Sequence, residues 1–244
     1  MANKTSYLKT TQHPWPCLLF LLPLLLAYEL GVYYLGGAEA RALRNGADAW
    51  LRWVLDTYGV KLFLAAPGII VIVFGIWSMR RWYDRPESSW QLVFAMWLES
   101  ILFAFGLWLF GHNFGPLLHS AGVTLAAGEM DSRTEMFAQV LTYVGAGIYE
   151  EILFRLFAIT GLVALFRCAF VPNWASAILA GIGSALLFAT AHHLGAAGEP
   201  MDSYRFVYRT IAGLYFAVLY WFRGFGVAVG THALYDVLVG VKVG

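Results

Sequence analysis

Charge is scarce in this chain. Of its 244 residues only 13% are Asp, Glu, Lys or Arg, about half the ~25% of a typical soluble domain. Sixteen Lys and Arg nearly balance fifteen Asp and Glu, leaving a formal net charge of +1, so the basic excess of a nucleic-acid binder is missing. Cysteine is scarcer still. Cys17 and Cys168 are too few and too far apart for a disulfide scaffold, and neither sits in a Cys/Cys or Cys/His spacing that structural zinc would need. The sequence has no internal repeat, no low-complexity tract and no linker between soluble domains. Apolar residues are what it does have: 60% hydrophobic and 17% aromatic. That composition excludes a disordered chain and points to a single integral membrane domain.

The apolar residues fall into seven runs, at 15–35, 62–79, 90–110, 137–166, 174–194, 207–222 and 225–241. A helix crosses ~30 Å of hydrocarbon with ~20 residues. Backbone in lipid must satisfy its own hydrogen bonds, and no strand-like alternation appears, so helices are the only option. The expected fold is all-α, a polytopic transmembrane helix bundle of about seven spans. The fourth run holds 30 residues, which predicts strong tilt, protrusion or a helix pair. The sixth, with 16, is short for a crossing.

Residues 38–58 differ from these runs. Ala40, Leu43, Ala47, Trp50, Leu51, Val54 and Leu55 recur at helical spacing, with Arg41, Arg44, Asp48, Arg52 and Asp56 between them. The pattern fits an amphipathic helix lying in the membrane interface, or a small helix packed on the bundle. Lys4, Lys9 and the triplet Ala38-Glu39-Ala40 imitate a signal peptide, but the apolar run exceeds the ~7–15 residues of such a segment and reads as a retained first span. The basic residues Lys4, Lys9, Arg80, Arg81, Arg85, Arg167 and Arg223, set against the acidic Glu129, Asp131 and Glu135, predict a cytoplasmic N-terminus. Trp15, Trp82, Trp90, Trp174 and Trp221 lie near run ends as interface anchors do.

A charge near the bilayer centre costs at least ~2.5–3.5 kcal/mol on insertion scales, so ionisable groups inside apolar runs are functional candidates. Glu29, Glu99 and Arg209 are isolated, and each is expected to pair with a neighbouring helix or reach an interface. The others cluster. In Tyr149-Glu150-Glu151-Ile152-Leu153-Phe154-Arg155, Glu151 and Arg155 are four apart and can form a salt bridge on one face. Glu150 points ~100° away and is left without a local partner, as a general base requires. Phe188-Ala189-Thr190-Ala191-His192-His193 supplies two adjacent histidines on different faces. His232-Ala233-Leu234-Tyr235-Asp236 supplies a His/Asp pair on one face, in which Asp236 is able to orient the imidazole.

Glu-Glu-x3-Arg, then Phe-x3-His, then His-x3-Asp, each in an apolar helix and in that order, resembles the CAAX protease and bacteriocin-processing (CPBP, or ABI) family of intramembrane proteases. The resemblance covers about residues 137–241; residues 1–136, three spans and the amphipathic helix, carry no recognised motif, and 137–244 form the expected four-span catalytic core. The resemblance implies an endopeptidase acting on a peptide or membrane-tethered protein close to the bilayer surface. Glu150 and His192 would activate a water, His232 and Asp236 would stabilise the oxyanion or position that water, and Glu151 and Arg155 would hold the geometry. Family members are described as either metalloproteases or metal-free enzymes. Catalytic zinc takes three protein ligands and one open position, and Glu150, His192 and His232 are the candidates for it, although the chain lacks a His-Glu-x-x-His pair. The cofactor is thus either none or one divalent metal such as zinc.

Depth is a difficulty for this reading. His192 lies roughly 27 Å along the fifth run and His232 roughly 10 Å along the seventh, from the same membrane side. They meet only if a helix starts deep, as the Arg223-Gly224-Phe225-Gly226 turn would permit, or if the Gly-rich stretch 195–200 bends inward. His112 and His119 read as solvated loop residues after the third run. Ser184, in Gly181-Ile182-Gly183-Ser184, resembles a rhomboid serine but sits on a small-residue packing face with Ala177, Gly181 and Ala185. The competing functions are a non-proteolytic scaffold or immunity-type protein that keeps the fold, and a proton-coupled transporter. The transporter would be expected to carry repeats in both halves.

Overall fold

The computed structural model describes residues 7–36, 43–121, 136–195 and 198–240, and among these every regular element is helical. After a short α1 (Tyr7–Thr10) come α2 (Pro14–Gly36), α3 (Gly46–Thr57), α4 (Ala65–Arg80), a 3-10 turn at Trp82–Asp84 and α5 (Ser89–Ser120). The second half holds α6 (Met136–Glu151), a π-helical segment (Ile152–Ile159), α7 (Thr160–Cys168), α8 (Asn173–Ala191), α9 (Ser203–Arg223) and α10 (Phe225–Gly240). Each apolar run is therefore a helix. By length and composition α2, α5 and α8 suffice to cross a membrane, while α4 and α10 are shorter apolar helices; the chain is an integral membrane protein. Lys4, residues 38–42, the acidic segment with Glu129, Asp131 and Glu135, residues 196–197 and residue 241 lie outside the described residues.

Two expectations change. The long fourth run is one continuous helical path, α6 to α7, whose register is altered by the π segment that begins directly after Glu151; such segments are frequent at functional sites. The loop expected after the third run starts later, because α5 continues to Ser120. His112 and His119 are therefore exposed on the last turns of a helix, with His112 stacked on Trp108. The extension is held by Phe110 and Phe114, which pack on Tyr204 and Tyr208 of α9.

The amphipathic helix α3 is capped by Asn45 and rests on the bundle through Leu51 and Leu55. Trp53 and Val54 face outward, while its charged stripe turns inward. Arg44 and Arg52 both pair with Glu29 of α2, at 3.0 and 2.9 Å, and both pair with Asp48. The other isolated charges are paired as well, Glu99 with Arg223 at 2.6 Å and Arg209 with Glu199 at 2.8 Å.

Helix α10 occupies the centre, against α2, α5, α6 and α9, and its first nine residues, Phe225 to Ala233, are all buried. Gly224 (φ +92°) makes the turn that starts it, with the Thr11 carbonyl 2.8 Å from where a Cβ would stand. That turn sits beside the Arg223–Glu99 pair, and α10 is buried from its first residue, Phe225. Helix α6 touches α10 just as closely: a Cβ on Gly147 would lie 2.7 Å from the Ala233 backbone nitrogen. Small residues permit such backbone approach in membrane bundles, and this one brings Glu150 and Glu151, one turn on, alongside His232.

Gly147→Ala should therefore lower the melting temperature in detergent micelles, by the ~1–3 kcal/mol typical of overpacking. Gly161→Ala, on an exposed face with nothing within 4 Å of the new methyl, should be neutral or stabilising by up to ~1 kcal/mol. Equal melting temperatures for the two variants would contradict the close α6–α10 contact.

Candidate active site

Three helices deliver the ionisable clusters to one place. Helix α6 ends on Glu150 and Glu151, His192 forms the C-terminal cap of α8, and α10 carries His232 and Asp236 one turn apart. The Nε2 atoms of His192 and His232 each lie 3.8 Å from the same oxygen, Glu150 Oε2. Asp236 Oδ2 is 3.4 Å from His232 Nε2. The depth difficulty is resolved from two directions. Helix α10 is buried from its first residue, and the His192 ring folds back one turn over Phe188, with ring centroids 4.8 Å apart, as side chains leaning toward a helix N-terminus do. Phe188 in turn meets the His232 ring edge-on at 5.6 Å.

The two glutamates have different partners, as their angular separation predicts. Glu151 is fully buried and forms an ion pair with Arg155, Nε to Oε2 3.1 Å, in which the N–H is not aligned on the oxygen. Its other oxygen lies 2.8 Å from His232 Nδ1. Arg155 also donates to the Gly213 carbonyl of α9 at 3.2 Å and lies over the rings of Phe188 and Phe216. The His232 ring stacks on Phe216 at 4.5 Å. Glu150 is arranged otherwise: Oε1 accepts from Asn45 Nδ2 at 2.8 Å, and Oε2 is buried with no hydrogen-bond partner. Separations of 3.8 Å are too long for direct hydrogen bonds, so Oε2 is placed to hold a small polar molecule between itself and the imidazoles.

Each histidine has a defined orientation. His192 Nδ1 lies 2.8 Å from the Phe188 carbonyl; it must donate there, which leaves the Nε2 lone pair facing Glu150. Both nitrogens of His232 face carboxylate oxygens, Glu151 on one side and Asp236 on the other. The expected zinc candidates Glu150, His192 and His232 converge here, with both histidine Nε2 atoms 3.8 Å from Glu150 Oε2. No group of His, Cys, Asp and Glu among the described residues is arranged to hold a metal ion. The site opens at His192 and Asp236, whose side chains are 26% and 23% exposed, and closes at Glu151 and Arg155, both 0%.

The adjacent His193 points elsewhere, with Nδ1 against the Glu199 carbonyl, while the Glu199 N–H donates to the His192 carbonyl at 2.9 Å. Burial would raise the Glu199 carboxyl, but hydrogen bonds and charge from Arg209 and Arg205 outweigh it and hold it below the usual carboxylate range. Ser184 is buried and donates to the Phe154 carbonyl at 2.7 Å, a packing contact remote from nucleophile chemistry. The sequence reading missed Asn45 and the direct Glu151–His232 contact. Neither has a local signal: Asn45 and Glu150 are 105 positions apart.

Comparison with known proteins agrees with the motifs. Residues 132–238 match the model of the Rce1-like family, described as type II CAAX prenyl endopeptidase Rce1-like. Over that segment the chain is similar to the CPBP/CAAX protease family. No curated protein and no solved structure matches it. Glu150, Glu151, Arg155, His192, His232 and Asp236 all lie within the matched segment, whereas Asn45 lies outside it.

Two outcomes follow. Arg155→Met leaves Glu151 buried without its cation and should cost about 3–5 kcal/mol of stability in micelles; a loss under ~1 kcal/mol would show that the pair does not hold the bundle. The lowered Glu199 carboxyl stabilises the folded state above its unfolded value near pH 4.3, and that stability is lost as pH falls through the lower folded value. Glu199→Gln should flatten this acid-side fall in melting temperature, and an unchanged acid limb would rule the contribution out.

Proposed function

We propose that this CAAX-type membrane protein is an intramembrane endopeptidase that hydrolyses a peptide bond near the membrane surface, with the chain's own side chains doing the chemistry. The observation that carries the reading is the buried, unpartnered Glu150 Oε2, 3.8 Å from the Nε2 atoms of two histidines. A water at this position gives its proton to Glu150 while its oxygen attacks the peptide carbonyl. His192, fixed by Phe188 with its lone pair toward the cleft, orients that water. The carbonyl becomes an oxyanion, which His232 stabilises by donating from Nε2. Asp236 and Glu151 hold the ring in that attitude, as preorganised donors must be held. Glu150 then returns the proton to the departing amine as the C–N bond breaks.

An apolar groove of about 480 Å³ between α3 and the α6–π path, lined by residues that include Trp50, Val54, Tyr149, Ile152 and Phe157, suits an apolar segment of substrate. The substrate is a peptide or membrane-tethered protein presented from the bilayer. The purified protein in liposomes, given a farnesylated CAAX peptide and its unmodified counterpart, tests the reading. Glu150→Gln should reduce cleavage by about 10²–10⁴-fold, the usual contribution of a general base, and His192→Ala should also impair it. Undiminished cleavage by Glu150→Gln would remove the assigned base. Absence of cleavage in the wild type, with intact binding of a membrane partner, would favour the scaffold reading.

A further inference from the structure

Glu150 Oε1 has one hydrogen-bond partner, and it comes from the half of the chain that carries no family motif. Asn45 caps α3: its Oδ1 accepts from the Ala47 N–H at 2.8 Å and from the Asp48 N–H at 3.4 Å. A carboxamide has one acceptor oxygen and one donor nitrogen, so the cap fixes which end points away from α3. The outward end is Nδ2, and it donates to Glu150 Oε1 at 2.8 Å. The amide is therefore oriented by one helix and spent on the carboxylate of another.

The cap is itself held from several sides. The Asn45 N–H donates to the Tyr28 hydroxyl at 3.2 Å, and that hydroxyl donates to Asp48 at 2.9 Å. Asp48 is fully buried and paired with Arg44 and Arg52, which share Glu29 of α2. Tyr149, the residue before Glu150, donates to the same Glu29 at 3.0 Å. The α2–α3 ion network thus grips the Glu150 segment twice, once through its neighbour and once through Asn45. A charge-assisted hydrogen bond of this kind is short and directional, and with Oε1 engaged only Oε2 remains to face the histidines.

We propose that Asn45 is a positioning residue for Glu150, and that α3 with its ion network is a part of the catalytic apparatus supplied from outside the family-matched segment. The inference rests on the protease reading for its kinetic consequence and on geometry alone for the contact. Two substitutions isolate the donor. Asn45→Ser keeps a good helix cap but removes the amide. Asn45→Asp keeps both shape and cap but can only accept.

With the farnesylated CAAX peptide in liposomes, both variants should lose about 10–100-fold in kcat, the worth of one charged hydrogen bond, with KM changed by no more than ~2–3-fold. In a Glu150→Ala background Asn45→Ser should remove nothing further from the residual rate. A purely structural cap would leave kcat unchanged in Asn45→Ser, and that result overturns the proposal. A melting-temperature cycle in micelles answers the same question without substrate. The losses from Asn45→Ser and Glu150→Ala should be smaller together than their sum, and strict additivity overturns the tether. Should the wild type cleave neither this peptide nor its unmodified counterpart, the protease reading fails, and the cycle still decides the contact.

Discussion

Two carboxylates on consecutive residues of an apolar helix set the conditions for everything around them. Glu150 and Glu151 are carried into the protein together, and a buried charge is tolerated only when it is paired or hydrogen-bonded. Because neighbouring helical residues diverge by ~100°, one partner cannot serve both. Glu151 is answered by Arg155 on its own helical path and by His232 from α10. Glu150 is answered by Asn45 on one oxygen only. The bundle draws α3, α6, α8 and α10 to a single point around these two groups, and one demand, at Glu150 Oε2, is left open.

The placement of the rest follows from how closely helices approach. Gly147 lets α6 lie against the Ala233 backbone, and Gly224 lets α10 begin beside α1 and α2. Arg155 ties the π segment to α9 through Gly213, so the helices around His232 are fixed in rotation as well as in distance. Rings complete the cage: Phe216 stacks under His232, and Phe188 bridges His192, His232 and Arg155. Aromatic walls exclude bulk water and strengthen the electrostatic contacts they enclose.

Much of this was legible in the sequence, for identifiable reasons. Helical periodicity and apolar length revealed every long helix, and i,i+4 spacing revealed the Glu151–Arg155 and His232–Asp236 pairs, since both signals are local. The isolated Glu29, Glu99 and Arg209 were expected to find partners on other elements, and did. The end of α5 was misjudged because Gly111, His112 and Pro116 resemble a loop until Tyr204 and Tyr208 are known to cover Phe114. The π segment left no trace, since a change of hydrogen-bond register has no composition of its own. Asn45 reads as an ordinary cap; its second bond depends on how α3 docks, and docking is decided by charges on α2. Asp236 is legible beside His232 from spacing, whereas the Glu151 contact on the other ring nitrogen is a matter of packing.

The burial of α10 has a consequence for how the protein is made. A ribosome produces α2, α5, α6 and α9 before α10, yet α10 is the helix that all four enclose. The earlier helices must therefore hold a vacancy, or part to admit it, when it leaves the translocation channel. Until then Glu150 and Glu151 lack His232, and Glu151 has only Arg155 to answer its charge. The carboxylate site is thus completed only when the central helix docks, late in synthesis.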